Sequence, residues 1–157
     1  RSNCVTGVQT CALPICKGLL ETKLGIPFRT PAEGHNIAFT SLWDNYPDSL
    51  QIPLQGKASR AYLLMAGSTN HMQCHIDNGV IRVYYEDGTC DTLSLVNPDN
   101  WPPIEQIFFE DGKSFNRHAP SLYRLRLKTG ELSNNFGEEL GFTGVSREVD
   151  GGAAVLL

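Results

Sequence analysis

His71-Met-Gln-Cys-His-Ile-Asp-Asn-Gly-Val-Ile-Arg-Val-Tyr-Tyr-Glu-Asp-Gly-Thr-Cys-Asp-Thr-Leu-Ser-Leu95 decides the fold, because its apolar residues recur with a period of two between turn signals. Asn78-Gly79 is the favoured pair for a two-residue type I′ hairpin. Pairing Asp77 with Val80 then sets Ile76 opposite Ile81, Cys74 opposite Val83 and Met72 opposite Tyr85. Glu86-Asp87-Gly88 fits a three-residue turn with glycine at its left-handed position. That turn puts Leu93 and Leu95 on the Ile81/Val83 face, and Cys90, Thr92 and Ser94 on the other. Three strands thus agree on one apolar side, which a one-residue slip would invert. Met72, Cys74, Ile76, Ile81, Val83, Leu93 and Leu95 are expected to be buried together, with His71, His75 and Arg82 opposite.

Outward from this meander the chain keeps reading as all-β. Leu50, Ile52 and Leu54 alternate with polar residues, and Pro53 makes this an edge strand or a bulge. Residues 61–66 are apolar on both faces, the pattern of a central strand. Tyr123, Leu125 and Leu127 alternate with Arg124, Arg126 and Lys128, and Lys128-Thr129-Gly130 reads as a turn. Residues 97–103, rich in Pro and Asn, read as a long loop. Weak periodicity over 130–147 gives loop with one turn of helix. The closing run Ala153-Ala-Val-Leu-Leu157 reads as a strand that stops short, leaving an unpaired apolar edge and an incomplete C-terminus.

Residues 5–15, Val-Thr-Gly-Val-Gln-Thr-Cys-Ala-Leu-Pro-Ile, resemble the translation of a sequencing-library adapter. Residues 1–16 are therefore read as an unstructured artefact joined to an environmental gene fragment. Residues 17–157 are read as a single incomplete β-sandwich domain, jelly-roll-like in form. Leaving out the first sixteen residues reduces five cysteines to two, Cys74 and Cys90, so no disulfide framework can be read. It also removes Arg1, leaving 12 Lys and Arg against 17 Asp and Glu, a net charge of −5. A mildly acidic chain without basic clusters argues against nucleic acid or an anionic membrane as partner. No apolar run reaches membrane-spanning length.

Chemistry is harder to find. On a strand, the imidazoles of His71 and His75 lie about 13 Å apart, too far to share one ion, so no metal site or cofactor is read there. The acids fall in turns (Glu86, Asp87, Glu110, Asp111) or in the irregular segment (Glu138, Glu139), and no pair stands out at the spacing glycoside cleavage needs. No nucleophile motif and no phosphate-cradling glycine loop is present. Tyr84, on the outer face with Gln73, His75, Arg82 and Thr92, suits stacking on a sugar and equally suits packing against a neighbouring domain. Gln73, His75, Arg82 and Tyr84 are accordingly the candidate ligand-binding residues, and no residue is assigned a catalytic role. Trp43, Tyr46 and Trp101 follow strands or enter turns, where an aromatic more often plugs an open end of a β-fold than binds ligand.

Several segments resemble a known bacterial family: Gly25-Ile-Pro-Phe28, Asn36-Ile-Ala-Phe-Thr-Ser-Leu-Trp-Asp-Asn-Tyr-Pro47, Ile52-Pro-Leu-Gln-Gly-Lys-Ala58, Tyr62-Leu-Leu-Met-Ala-Gly-Ser-Thr69, Tyr84-Tyr-Glu-Asp-Gly88 and Gly151-Gly-Ala-Ala154. They are similar to the β-sandwich region of large proteins from polysaccharide-degrading Gram-negative bacteria, which carry a domain of unknown function. The resemblance spans nearly all of 25–154. It implies an accessory jelly-roll module beside a glycoside-hydrolase catalytic domain, with a periplasmic or cell-surface location. The implied partners are that catalytic domain and carbohydrate. Two other readings stay open: a glycan-degrading enzyme with its site in these residues, which would show two facing carboxylates in a cleft, and a free-standing carbohydrate-binding domain, which would show a row of exposed aromatic planes.

Overall fold

The computed structural model describes residues 18–30, 37–42, 45–108, 116–141 and 144–157. The artefact expected at residues 1–16, together with Trp43, Glu110 and Asp111, lies outside them. The fold is all-β: among the described residues there are ten short strands and a single helical turn. The chain divides into two compact units, one reaching Ala61 and the other Tyr62–Leu157. The single domain expected over 17–157 takes in the undescribed segments and is not decided by that division.

In the first unit, β1 (Leu19–Glu21) and β2 (Pro27–Arg29) form an antiparallel hairpin with Leu20 opposite Phe28. The strand expected at Leu50, Ile52 and Leu54 does not form. These side chains are exposed, Ile52 at 61%, and residues 48–61 join no backbone ladder among the described residues. Alternation alone does not make a strand when Pro53 removes a donor and no partner strand supplies the ladder.

The second unit is built around β10 (Ala153–Leu156). It lies between β3 (Leu64–Met65) and β7 (Arg124–Arg126), and β8 (Leu132–Ser133) completes a four-stranded antiparallel sheet. The two expectations for its ends are therefore reversed. Residues 61–66, expected as a central strand, supply the edge, with Leu63 and Leu157 exchanging backbone hydrogen bonds at 2.9 Å. The closing run, expected as an unpaired edge, is paired on both sides and all four residues of β10 are buried. Its continuous apolar character is the mark of a strand covered on both faces. Val155 packs with Leu95 and Trp101, and Ala153 with Phe136 and Val149.

Among the described residues the longest ladder is the hairpin of β4 (Asp77–Tyr84) and β5 (Cys90–Val96). Its turn is the one expected at 86–88: the Tyr85 N–H donates to Thr89 O at 3.0 Å, and Gly88 takes φ 84°. Ile81 opposes Leu93 and Gly79 opposes Leu95, as the face assignment required. The hairpin expected at Asn78-Gly79 is absent. Asp77 pairs with Val96 and Gly79 with Leu95, so Asn78 is the extra residue of a bulge inside β4. Its amide Nδ2 donates to the carbonyls of Gln73 and Ile76, which turns residues 71–76 away from the ladder. The pairings of Ile76, Cys74 and Met72 with Ile81, Val83 and Tyr85 therefore do not occur. Met72 is 74% exposed and Ile76 also lies at the surface; of the seven residues expected to be buried together, only Leu95 is fully so.

The remaining strands are β6 (Gln106–Phe108) and β9 (Ser146–Glu148), paired antiparallel. Between β8 and β9 lies α1 (Phe136–Leu140), the helical turn expected in 130–147. The loop expected over 97–103 carries Trp101, whose indole joins the core and donates to the Thr69 hydroxyl at 2.8 Å. Among the described residues, no helix is long and apolar enough to cross a membrane.

Candidate functional site

Two features of the second unit gather polar chemistry. The larger is a cleft of about 340 Å³ whose walls include Asp99, Gln106, Phe108, Arg117, Asn134 and Glu138. Its floor depends on Arg124. Alternation along 123–128 placed this residue outside, yet it is buried, with its guanidinium donating to the carbonyls of Pro103 (2.7 Å), Gln106 (3.1 Å) and Ala153 (3.2 Å). Burial pulls its pKa down to about 10, against an opposing contribution from Glu105, so the group is still charged at neutral pH. It ties the 103–106 segment to β10, and with Arg126 it lies over the ring of Phe136. Arg124 thus shapes the cleft as a structural cation buried under carbonyl oxygens.

The cleft carboxylates are held locally. Asp99 Oδ1 accepts from the backbone N–H of His118 at 2.7 Å, and Glu138 Oε2 accepts from the Asn135 amide at 2.6 Å. Arg117 donates to the Ser121 hydroxyl at 2.8 Å. This leaves a site of amides, two guanidiniums (Arg117 and the buried Arg124) and two carboxylates beside apolar walls.

The second feature is a cluster of His75, Asp99 and His118, one potential ligand atom from each lying within 4.8 Å of the others. Asp99 Oδ2 is 3.6 Å from His118 Nδ1, and the rings of His75 and His118 lie 4.8 Å apart between centroids. Local backbone bonding holds His75 in place. Its N–H donates to the carbonyl of Asn97 at 2.8 Å, and its φ of 55° lies in the left-handed region. Asn97 is fully buried and its Nδ2 donates to the His71 carbonyl at 3.3 Å, binding the 71–75 turn to the 97–100 loop.

The four residues proposed from sequence to bind ligand do not share one face. Arg82 and Tyr84 stand together on β4, opposite Thr92 and Cys90. Gln73 and His75 lie in the turn before the bulge, so the common face reasoned from the Asn78-Gly79 register does not exist. The ring of His71 lies against Phe108, 5.5 Å between centroids. Cys74 and Cys90 are free thiols, and burial raises the pKa of Cys74. Sequence reasoning missed Asp99, Arg117 and His118. Asp99 stands in one loop and the adjacent Arg117 and His118 in another, with no motif spacing to mark them. No protein family, curated protein or solved structure matches this chain.

Proposed function

We propose that the chain is a non-catalytic accessory module, a jelly-roll-like β-sandwich belonging to a bacterial polysaccharide-degrading protein. It packs on an adjacent catalytic domain and contacts carbohydrate. The observation that carries the reading is the outer half of the β4–β5 hairpin. Its inner end joins the core through Ile81 and Leu95. Opposite Ile81 and just beyond it, Leu93 (43%) and Val83 (39%) are exposed on one face and Tyr84 (72%) on the other. A two-stranded ribbon is marginal in water when it stands alone, and apolar side chains on both its faces suit cover by another domain. The cleft supports the carbohydrate part: its volume lies at the lower end of the range of small-ligand sites, about 300–1,000 Å³.

Affinity electrophoresis against a panel of soluble polysaccharides tests the reading. The full chain is expected to be retarded by at least one glycan, and Gln106→Ala or Arg117→Ala is expected to abolish the retardation. The same preparation is expected to hydrolyse none of them. Mobility unchanged on every glycan removes the carbohydrate role.

A second reading, a glycan-degrading domain, is favoured by one observation: Asp99 and Glu138 both line the cleft. Turnover of a glycan, lost in Asp99→Asn or Glu138→Gln, would establish that reading in place of the accessory module.

A further inference from the structure

We propose that His75, Asp99 and His118 form a binding site for a divalent transition cation of the zinc class. The site is separate from the glycan reading, although Asp99 also lines the cleft. Two imidazoles and one carboxylate are the donor set of zinc and its neighbours, whereas calcium and magnesium take oxygen ligands. Zinc bound at about 2.0–2.2 Å in tetrahedral geometry separates its ligand atoms by roughly 3.4 Å. The 3.6 Å between Asp99 Oδ2 and His118 Nδ1 is already close to that separation. One potential ligand atom from each of the three residues lies within 4.8 Å of the others, so side-chain adjustment of about an ångström brings the set to that separation.

The three donors come from three loops that backbone hydrogen bonds bring together. His75 is held in its left-handed conformation by the hydrogen bond from its N–H to the carbonyl of buried Asn97. A non-glycine residue kept at positive φ is a feature that clusters at functional sites. Asp99 stands two residues beyond Asn97, and its Oδ1 fixes the backbone of His118 at 2.7 Å, leaving Oδ2 towards the His118 ring. That second bond orients the carboxylate in the way outer-sphere contacts orient metal ligands. The competing arrangement is a metal-free, tilted stack of the two imidazoles, with His118 Nδ1 3.6 Å from Asp99 Oδ2.

The test uses the tag-free 157-residue chain with all five cysteines, Cys4, Cys11, Cys16, Cys74 and Cys90, changed to serine, so that no thiol competes for metal. Isothermal titration with Zn²⁺ is expected to show one equivalent bound. His75→Gln, Asp99→Asn and His118→Gln are each expected to weaken binding about tenfold or more, while His71→Gln leaves it unchanged. On the unsubstituted histidines, NMR is expected to show Zn²⁺ moving the imidazole resonances of His75 and His118 and not those of His71, a readout independent of how the variants fold. Absence of binding, or affinity retained in His75→Gln with the His75 resonances unmoved, overturns the proposal in favour of the metal-free stack.

Discussion

Gly67 faces the indole of Trp101 so closely that a Cβ there would stand 2.1 Å from Cζ2 and 2.7 Å from Cε2. Trp101 cannot withdraw, because it is buried with Leu95 and Val155 and its Nε1 is bonded to Thr69. Gly67→Ala is therefore expected to lower stability by about 1–3 kcal/mol, the cost of overpacking a filled core, measurable as a lower midpoint in denaturant unfolding. Tyr85 offers a second test, of charge. Its hydroxyl donates to Asp91 Oδ2 at 2.7 Å, and that bond, followed by the carboxylate's charge, raises the phenol pKa above its ordinary value. A group whose folded pKa is raised contributes stability at neutral pH and loses it as pH climbs through the folded value. Spectrophotometric titration should show Tyr85 ionising later than a free phenol, and Asp91→Asn should bring it back down. If Asp91→Asn leaves the curve unmoved, the bond does not form in solution.

At the scale of the element, legibility depended on how local the deciding contact is. Glu86-Asp87-Gly88 was readable because everything it needs lies within a few residues: a glycine at φ 84°, and the Asp87 carboxylate accepting from the Thr89 N–H and hydroxyl. Asn78-Gly79 was equally strong as a turn signal and failed. The choice between a turn and a bulge lay with residues 95 and 96, which pair on either side of Asn78. Gly79 is confined there, since a Cβ would meet Leu95 Cδ1 at 3.2 Å. The same limit explains Arg124, whose sequence neighbours mark an outward position while carbonyls more than fifteen residues away draw it in. Gly88→Val puts a β-branched side chain at positive φ, which costs roughly 1–2 kcal/mol. Amide exchange should rise across 77–96 in that variant while β7 and β10 keep their protection. Uniform loss of protection would show that the hairpin and the four-stranded sheet open as one unit.

For the whole molecule, the all-β class was legible from period-two patterning and turn residues, but the order of strands was not. β3 and β7 meet β10 across long sequence separations, so an apolar run such as 153–157 reads equally well as edge or centre until its neighbours are placed. The His75, Asp99 and His118 cluster was illegible for the same reason, because loops that meet only in the fold leave no spacing to count. The resulting distribution of burial is uneven. In the second unit Leu125, Ala153, Ala154 and Val155 are almost wholly enclosed, and Arg124 fastens the 103–106 segment to them. In the first unit Ile37, Leu42, Ile52 and Leu54 are exposed, and residues 48–61 make no ladder among the described residues. Local stability follows enclosed apolar contacts and protected backbone hydrogen bonds. Native-state hydrogen exchange should accordingly find the slowest amides in 123–126 and 153–157, intermediate ones in 90–96, and exchange near the unprotected rate over 48–61. Slow exchange at Leu50, Ile52 and Leu54 would mean that the alternating strand read there from sequence does form, with a partner to pair it.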